Sequence, residues 1–145
     1  MYKHILIPTD GSALANRAVR EGIDLASKGK ARVTLLTCSV PFHVFATDAL
    51  MVTDTPKLYA RAIEQRAASR LEEGERYARK KGVAATTAHV LGEHPFEAIV
   101  ATAKKRGCDL VCMASHRRRG LAGVLMGSET AKVLAHSKIP VLVCR

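Results

Sequence analysis

The chain has no tryptophan, and only three tyrosines and three phenylalanines among its 145 residues. Little is therefore available for stacking unpaired bases, which single-stranded nucleic acids require of their binders. Long apolar runs are also missing. The opening Met1-Tyr2-Lys3-His4-Ile5-Leu6-Ile7-Pro8 holds a three-residue apolar run before Pro8, too short for the core of a secretory signal. Nothing later approaches the roughly 18–20 apolar residues of a membrane span. A cytoplasmic location and no membrane partner are expected. Cysteines are few (Cys38, Cys108, Cys112 and Cys144), and no two stand in C-x-x-C spacing. In a chain without a signal segment they read as reduced, buried thiols, and no metal site is expected.

Acidic residues are scarce as well, with 13 Asp and Glu against 23 Lys and Arg and a net charge of +10. The positive residues are spread along helical faces, several with acids four residues before them, such as Glu72 with Arg76 and Glu75 with Arg79. Only Arg117-Arg118-Arg119 forms a tight cluster. Charge dispersed in this way fits any anionic ligand, and a nucleic acid is not the expected partner.

What is present is a globular balance, 48% hydrophobic and 25% charged, in a length that suits one domain spanning residues 1–145. His4 to Ile7 is an apolar β run that ends in Pro8-Thr9-Asp10-Gly11-Ser12. Ser12 is placed to cap a helix with Ala15, Ala18, Val19, Gly22 and Ala26 on one face, and Gly29 to end it. Val33 to Val40 reads as a second strand closed by Pro41, and residues 42–54 show no period. Thr55-Pro56 then opens a long helix to Lys81 with Ala60, Ile63, Ala67, Leu71, Gly74 and Ala78 as its stripe, stopped by Gly82. Val83 to Leu91 alternates and so belongs near a sheet edge. Pro95 starts a helix with Phe96, Ile99, Val100 and Ala103 inward, ending at Gly107. Cys108 to Ala114 is a fourth strand, Gly127-Ser128 opens a short helix through His136, and Ile139 to Cys144 is the last strand.

The order β-α-β-α-β-α-β-α-β, with continuous apolar strands, calls for an α/β fold: a doubly wound, five-stranded parallel sheet with helices on both faces. If the first and fourth strands are central neighbours, a crevice opens at their carboxyl ends between Pro8-Thr9-Asp10 and Ala114-Ser115-His116. Gly127-Ser128, at a helix start, adds an anion site of the kind phosphates use, though an ordinary cap after a glycine turn reads equally well.

The stretch Cys112-Met113-Ala114-Ser115-His116-Arg117-Arg118-Arg119-Gly120-Leu121, continued by Val124 to Ser128, resembles the nucleotide loop of the universal stress proteins. The start His4 to Ser12, the Gly92-Glu93 and Pro95 pattern, and the ending Val133 to Val143 are similar to the same family, so that the likeness covers essentially the whole chain. The resemblance implies a Rossmann-like fold that binds ATP or another adenine nucleotide, with or without Mg2+, and a homodimer paired through the last strand. It implies a nucleoside side at Pro8, Thr9 and Asp10, with the Asp10 carboxylate near the ribose, against a plain turn role for the same residue. Ser39 stands where a backbone group meets adenine, and Cys38, beside it, is expected to be packing. Met113 and Ala114 lead into the loop. The family's ATP-binding pattern of Gly, two residues, Gly, nine residues, Gly and then Ser or Thr places its final pair on Gly127 and Ser128. Its earlier glycines fall on Ala114 and Arg117, and the second of these departures exchanges a bare backbone for a guanidinium. Glu129 reads either as a magnesium-side carboxylate or as a solvated first-turn acid. No nucleophile with a base, and no lysine after Gly127-Ser128, can be assembled, so binding rather than catalysis is expected, with slow nucleotide hydrolysis the outer alternative. A nucleotide-independent interaction protein on the same fold is the other reading.

Overall fold

The structure, a computed structural model, describes residues 1–41, 55–115 and 127–145. Its elements alternate without exception: β1 (His4–Pro8), α1 (Ala13–Gly29), β2 (Arg32–Ser39), α2 (Thr55–Lys80), β3 (Ala85–Leu91), α3 (Pro95–Arg106), β4 (Leu110–Ala114), α4 (Ser128–His136) and β5 (Val141–Cys144). The strands form one all-parallel sheet in the order β3-β2-β1-β4-β5. Winding runs outward from β1 through β2 to β3, then restarts on the other side at β4. The expected neighbours β1 and β4 do pair, with Ile5 opposite Leu110 and Leu6 opposite Val111. The alternating strand β3 lies at one edge and β5 at the other.

Alternation of side chains along the central strands divides the core in two. Ile5 and Ile7 of β1, Val33 and Leu35 of β2 and Cys112 of β4 face α1 and α2, where Val19, Ile23, Leu71 and Ala78 meet them. Leu6, Leu36, Val111 and Met113 face α3 and α4 and pack on Ile99, Ala103 and Val133. Helices thus cover both faces of the sheet. In α1, all five residues of the expected stripe are buried, and Ser12 caps the helix through its hydroxyl to the Ala15 N–H at 3.2 Å. In α2 the stripe holds from Ala67 to Ala78, while Ile63 is half-buried and Ala60 exposed.

Strands β3 and β4 start two residues later than their apolar runs suggest, and helix ends explain why. After α1, α2 and α3 one residue turns left-handed: Lys30 (φ 53), Gly82 (φ 68) and Gly107 (φ 64). The next N–H then folds back to a helix carbonyl, Ala31 to Ala26, Val83 to Ala78 and Cys108 to Ala103, each at 2.9 Å. These closures keep Val83 and Cys108 out of the ladder while burying their side chains. The residue that turns after α1 is Lys30 and not Gly29, which remains helical. The aperiodic segment 42–54 lies outside the described residues.

Candidate functional site

At the carboxyl end of the sheet, where winding reverses between β1 and β4, a cleft of about 260 Å³ opens. Pro8, Thr9 and Asp10 line it from the end of β1, and Met113 and Ala114 from the end of β4. Gly127, Ser128, Glu129 and Thr130 line it from the start of α4. The structure therefore brings together eight residues that sequence reasoning had placed at the site, Thr130 being a new one. Arg117 and the rest of the segment 116–126 lie outside the described residues.

The turn after β1 is held by its own side chains. Thr9 Oγ1 accepts from the Gly11 N–H at 3.1 Å and Asp10 Oδ1 from the Ser12 N–H at 2.9 Å. The Thr9 N–H donates to the Leu36 carbonyl at 2.8 Å, so the turn leaves the sheet in register with β2. Gly11 takes φ +80, and Arg70 Cγ of α2 lies only 2.8 Å from where its Cβ would be. Asp10 thus fills the turn role and borders the cleft at the same time.

At the opposite wall α4 begins without a side-chain cap. Gly127, its N-cap, has extended backbone (φ −55, ψ 143), and its N–H donates to Ser115 Oγ at 3.2 Å. The first N–H groups of the helix itself, those of Ser128, Glu129 and Thr130, precede its first intrahelical bond, from the Ala131 N–H to the Gly127 carbonyl at 3.0 Å. They carry the positive end of the helix dipole to the rim of the cleft. Thr130 donates its hydroxyl to the Ala114 carbonyl at 3.2 Å, which fixes the start of α4 against the end of β4.

Glu129 lines the cleft with both carboxylate oxygens engaged and so is not a freely solvated acid. Its Oε2 accepts from the Phe96 N–H at 3.0 Å, capping α3 from α4, and its Oε1 pairs with Lys132 at 3.0 Å. Phe96 in turn packs its ring on His136 at 5.1 Å. The carboxylate joins two helices and has both oxygens engaged. Among the described residues no group of three or more His, Cys, Asp or Glu could hold a metal ion.

Ser39 does not line the cleft. Its hydroxyl meets His89 Nε2 at 2.9 Å and its carbonyl accepts from the Gly92 N–H, so both look toward β3. Cys38, one residue earlier, lines the cleft instead. Alternation along β2 puts the Cys38 side chain on the face of Leu36 and that of Ser39 on the other, while the contact expected of Ser39 was through its backbone. Burial pushes the Cys38 thiol up to about 11, with the Glu129 charge adding to the effect, so it stands there as a neutral, apolar wall. Leu36, Pro95, Ile99 and Ala15 complete the lining and also escaped the sequence reading. Their signal was the helix and strand period that marks core residues, and nothing local separates a core position from a cleft wall. The whole is an apolar slot with polar groups at two opposite rims.

The family model of the universal stress protein family matches residues 1–145, and the chain belongs to that family. It is 28% identical to universal stress protein YxiE of Bacillus subtilis, with all of both chains covered. It is 27% identical to universal stress protein MJ0531 of Methanocaldococcus jannaschii, across the whole of this chain and 83% of that one. Among solved structures, MJ0577 superposes with a TM-score of 0.78 at 29% identity, covering 99% of this chain and 95% of that one. A universal stress protein solved in complex with cAMP superposes with a TM-score of 0.70 at 26% identity, over 99% and 97% of the two chains.

Proposed function

We propose that this universal stress protein binds an adenine nucleotide in the cleft at the carboxyl ends of β1 and β4, and acts by binding rather than by turnover. The observation that carries the reading is the uncapped start of α4 facing the β1 turn across an apolar slot. N–H groups at a helix start, outside the intrahelical ladder, are suited to phosphate, and an apolar slot to a purine. The residues fit such a ligand: the N–H groups of Ser128 to Thr130 would hold its phosphates, Asp10 would meet its polar sugar, and Cys38, Leu36 and Ile99 would wall its base. That a relative of comparable identity binds cAMP supports the same chemistry. Binding rather than fast hydrolysis is the reading because both carboxylates among the described lining residues are held by hydrogen bonds, Asp10 to the Ser12 N–H and Glu129 to the Phe96 N–H and Lys132. Titration calorimetry with ATP, ADP and AMP, each with Mg2+, is expected to give micromolar affinity for at least one, about −8 kcal/mol. Absence of heat at millimolar ligand would overturn the reading.

The alternative, a nucleotide-independent interaction protein, draws on Ala114 and Arg117, which occupy positions of the family's glycines. Arg117 separates the two readings by sign. As a phosphate partner its replacement in Arg117→Ala weakens ATP tenfold to a hundredfold, about 1.5–3 kcal/mol for a charge-assisted bond. As a block, its replacement in Arg117→Gly creates ATP binding that the wild type lacks.

The reading includes a homodimer through β5, in the cytoplasm. An edge strand with an exposed Leu142 (42%) between half-buried valines is a surface that another chain would cover. Light scattering is expected to give a dimer, and Val143→Pro a monomer or insoluble chain.

A further inference from the structure

In a parallel sheet every strand starts at one end, and every helix that returns the chain to the next strand finishes there. The amino end of this sheet therefore collects the last turns of the helices and the starts of the strands. Those last turns carry Lys28 in α1, Arg79 and Lys80 in α2, and Lys104, Lys105 and Arg106 in α3. Lys30 and Lys81 follow α1 and α2, while Lys3, Arg32 and Lys138 stand at or just before strand starts. All of these residues are exposed. Charges that are dispersed along the chain are thus gathered by topology on one surface.

Hydrogen bonds show how closely the segments are drawn together. The Arg32 N–H donates to the Lys3 carbonyl at 3.0 Å, the Asp109 N–H to the His4 carbonyl at 2.9 Å, and the Ser27 hydroxyl to the Lys81 carbonyl at 3.4 Å. Two acids lie among these segments. Asp24 pairs with Lys81 at 2.7 Å and accepts from the Tyr77 hydroxyl. Asp109 accepts the N–H groups of Lys3 and His4 at 2.8 and 2.9 Å. Each helix end adds about half a negative charge, which offsets part of the excess and leaves most of it.

We propose that the amino end of the sheet is a docking surface for a nucleic-acid duplex, held by its phosphate backbone with no reading of base sequence. Strands about 4.8 Å apart place five starts across roughly 19 Å. A duplex presents about eleven phosphate charges along that length. Most of the side chains are lysines, point charges that suit backbone phosphate without the forked geometry of base recognition. Tyr2 is the one exposed aromatic at this end among the described residues, so unpaired bases find little to stack on. Among the described residues no amphipathic helix lies along the surface, as anchoring in a membrane by a basic patch would need in addition. The surface is at the far end of the strands from the cleft, and the inference does not rest on the nucleotide reading.

The test is fluorescence anisotropy with a labelled DNA duplex of mixed sequence, about two helical turns long, and the full chain. Affinity near 10 µM at about 50 mM salt is expected, falling on the order of a hundredfold by about 200 mM for some four phosphates neutralised. Lys104→Glu with Lys105→Glu should weaken binding at least tenfold and flatten the salt dependence. Arg61→Glu with Arg66→Glu changes net charge equally on exposed α2 positions and should alter affinity less than about twofold. If charge reversal impairs folding, Lys28→Gln with Lys138→Gln serves instead, with an expected loss of threefold or more. Equal losses in both reversed pairs, or a comparable loss on replacing Arg117, Arg118 and Arg119 by alanine, overturn the proposal. So do an absence of binding at low salt and a tighter hold on phosphatidylglycerol vesicles than on duplex at equal phosphate.

Discussion

The carboxyl and amino ends of the sheet are made by the same elements, and they differ in how those elements stop. At the carboxyl end, strands run into turns held by side chains: Thr9 and Asp10 accept N–H groups two residues on, and Ser115 accepts that of Gly127. At the amino end, α1, α2 and α3 close on themselves, backbone to backbone, around Lys30, Gly82 and Gly107. The first kind of ending commits polar side chains to local bonds and leaves helix-start N–H groups facing a cleft. The second needs no side chain, so exposed positions there are open to any residue, and lysine and arginine fill them. A parallel α/β sheet thus presents one end built for a small anion and another whose charge is set almost independently of the fold.

The largest expected effect tests whether the floor of the cleft belongs to the core. Leu36 is fully buried and lines the cleft as well. Leu36→Ala should cost about 2–5 kcal/mol in urea unfolding, the range for a buried leucine that leaves a cavity. A cost under about 1 kcal/mol would separate cleft from core.

Next is the carboxyl-end turn. Gly11→Ala places a methyl group on a left-handed residue and into the space of Arg70 Cγ. A loss of about 1–3 kcal/mol is expected, together with weaker nucleotide binding, because Asp10 is carried on the same turn. An unchanged midpoint would mean that the turn relaxes freely.

A third effect belongs to the amino end and depends on pH. His4 is buried, with Nε2 2.8 Å from Thr34 Oγ1, and burial, joined by the charge of Arg32, holds its pKa below the usual histidine value. The unfolded chain therefore takes up the proton first. The stabilisation is full above the unfolded value, about 6.5, and is lost as pH falls through the folded one. Urea midpoints should drop between pH 8 and 5, and His4→Gln should flatten that part of the profile. Burial works to raise the Asp109 pKa, but the N–H groups of His4 and Lys3 outweigh it and hold the carboxyl low. Its contribution fades in the same direction at more acidic pH, so the two are separable.

The smallest effect sharpens the contrast between the two kinds of ending. Lys30 takes φ 53 where a glycine would sit without strain. Lys30→Gly should gain up to about 1 kcal/mol, the relief of a left-handed side chain less the added freedom of glycine in the unfolded chain. A loss would mean that the Lys30 side chain contributes at the amino end beyond its charge.

Much of the fold was legible because period and punctuation are local. Apolar runs, the Ser12 cap, Pro95 at a helix start, and Gly82 and Gly107 at helix ends each act within a turn of chain. Lys30 was misread because Gly29 stands beside it and composition does not say which of two adjacent residues turns. That the Cys38 side chain is also a cleft wall was not legible for a similar reason: a strand's faces are known only once its register with its neighbours is known. The bond by which Glu129 joins α4 to α3 escaped, since its partner, the Phe96 N–H, lies 33 residues earlier.

The sequence by itself determined the alternation of strands and helices, the family, and the residues at either side of the crevice. These rest on local propensity and on motifs that recur intact, and no long-range distance enters them. Tertiary structure alone decided that β1 and β4 are neighbours, which side of β2 faces the cleft, and that Glu129 ties α4 to α3. It alone gathered lysines from widely separated segments onto one end of the sheet. Each of these depends on which distant segments pack together, and that is settled by burying two apolar faces at once, a condition that no single stretch of chain contains.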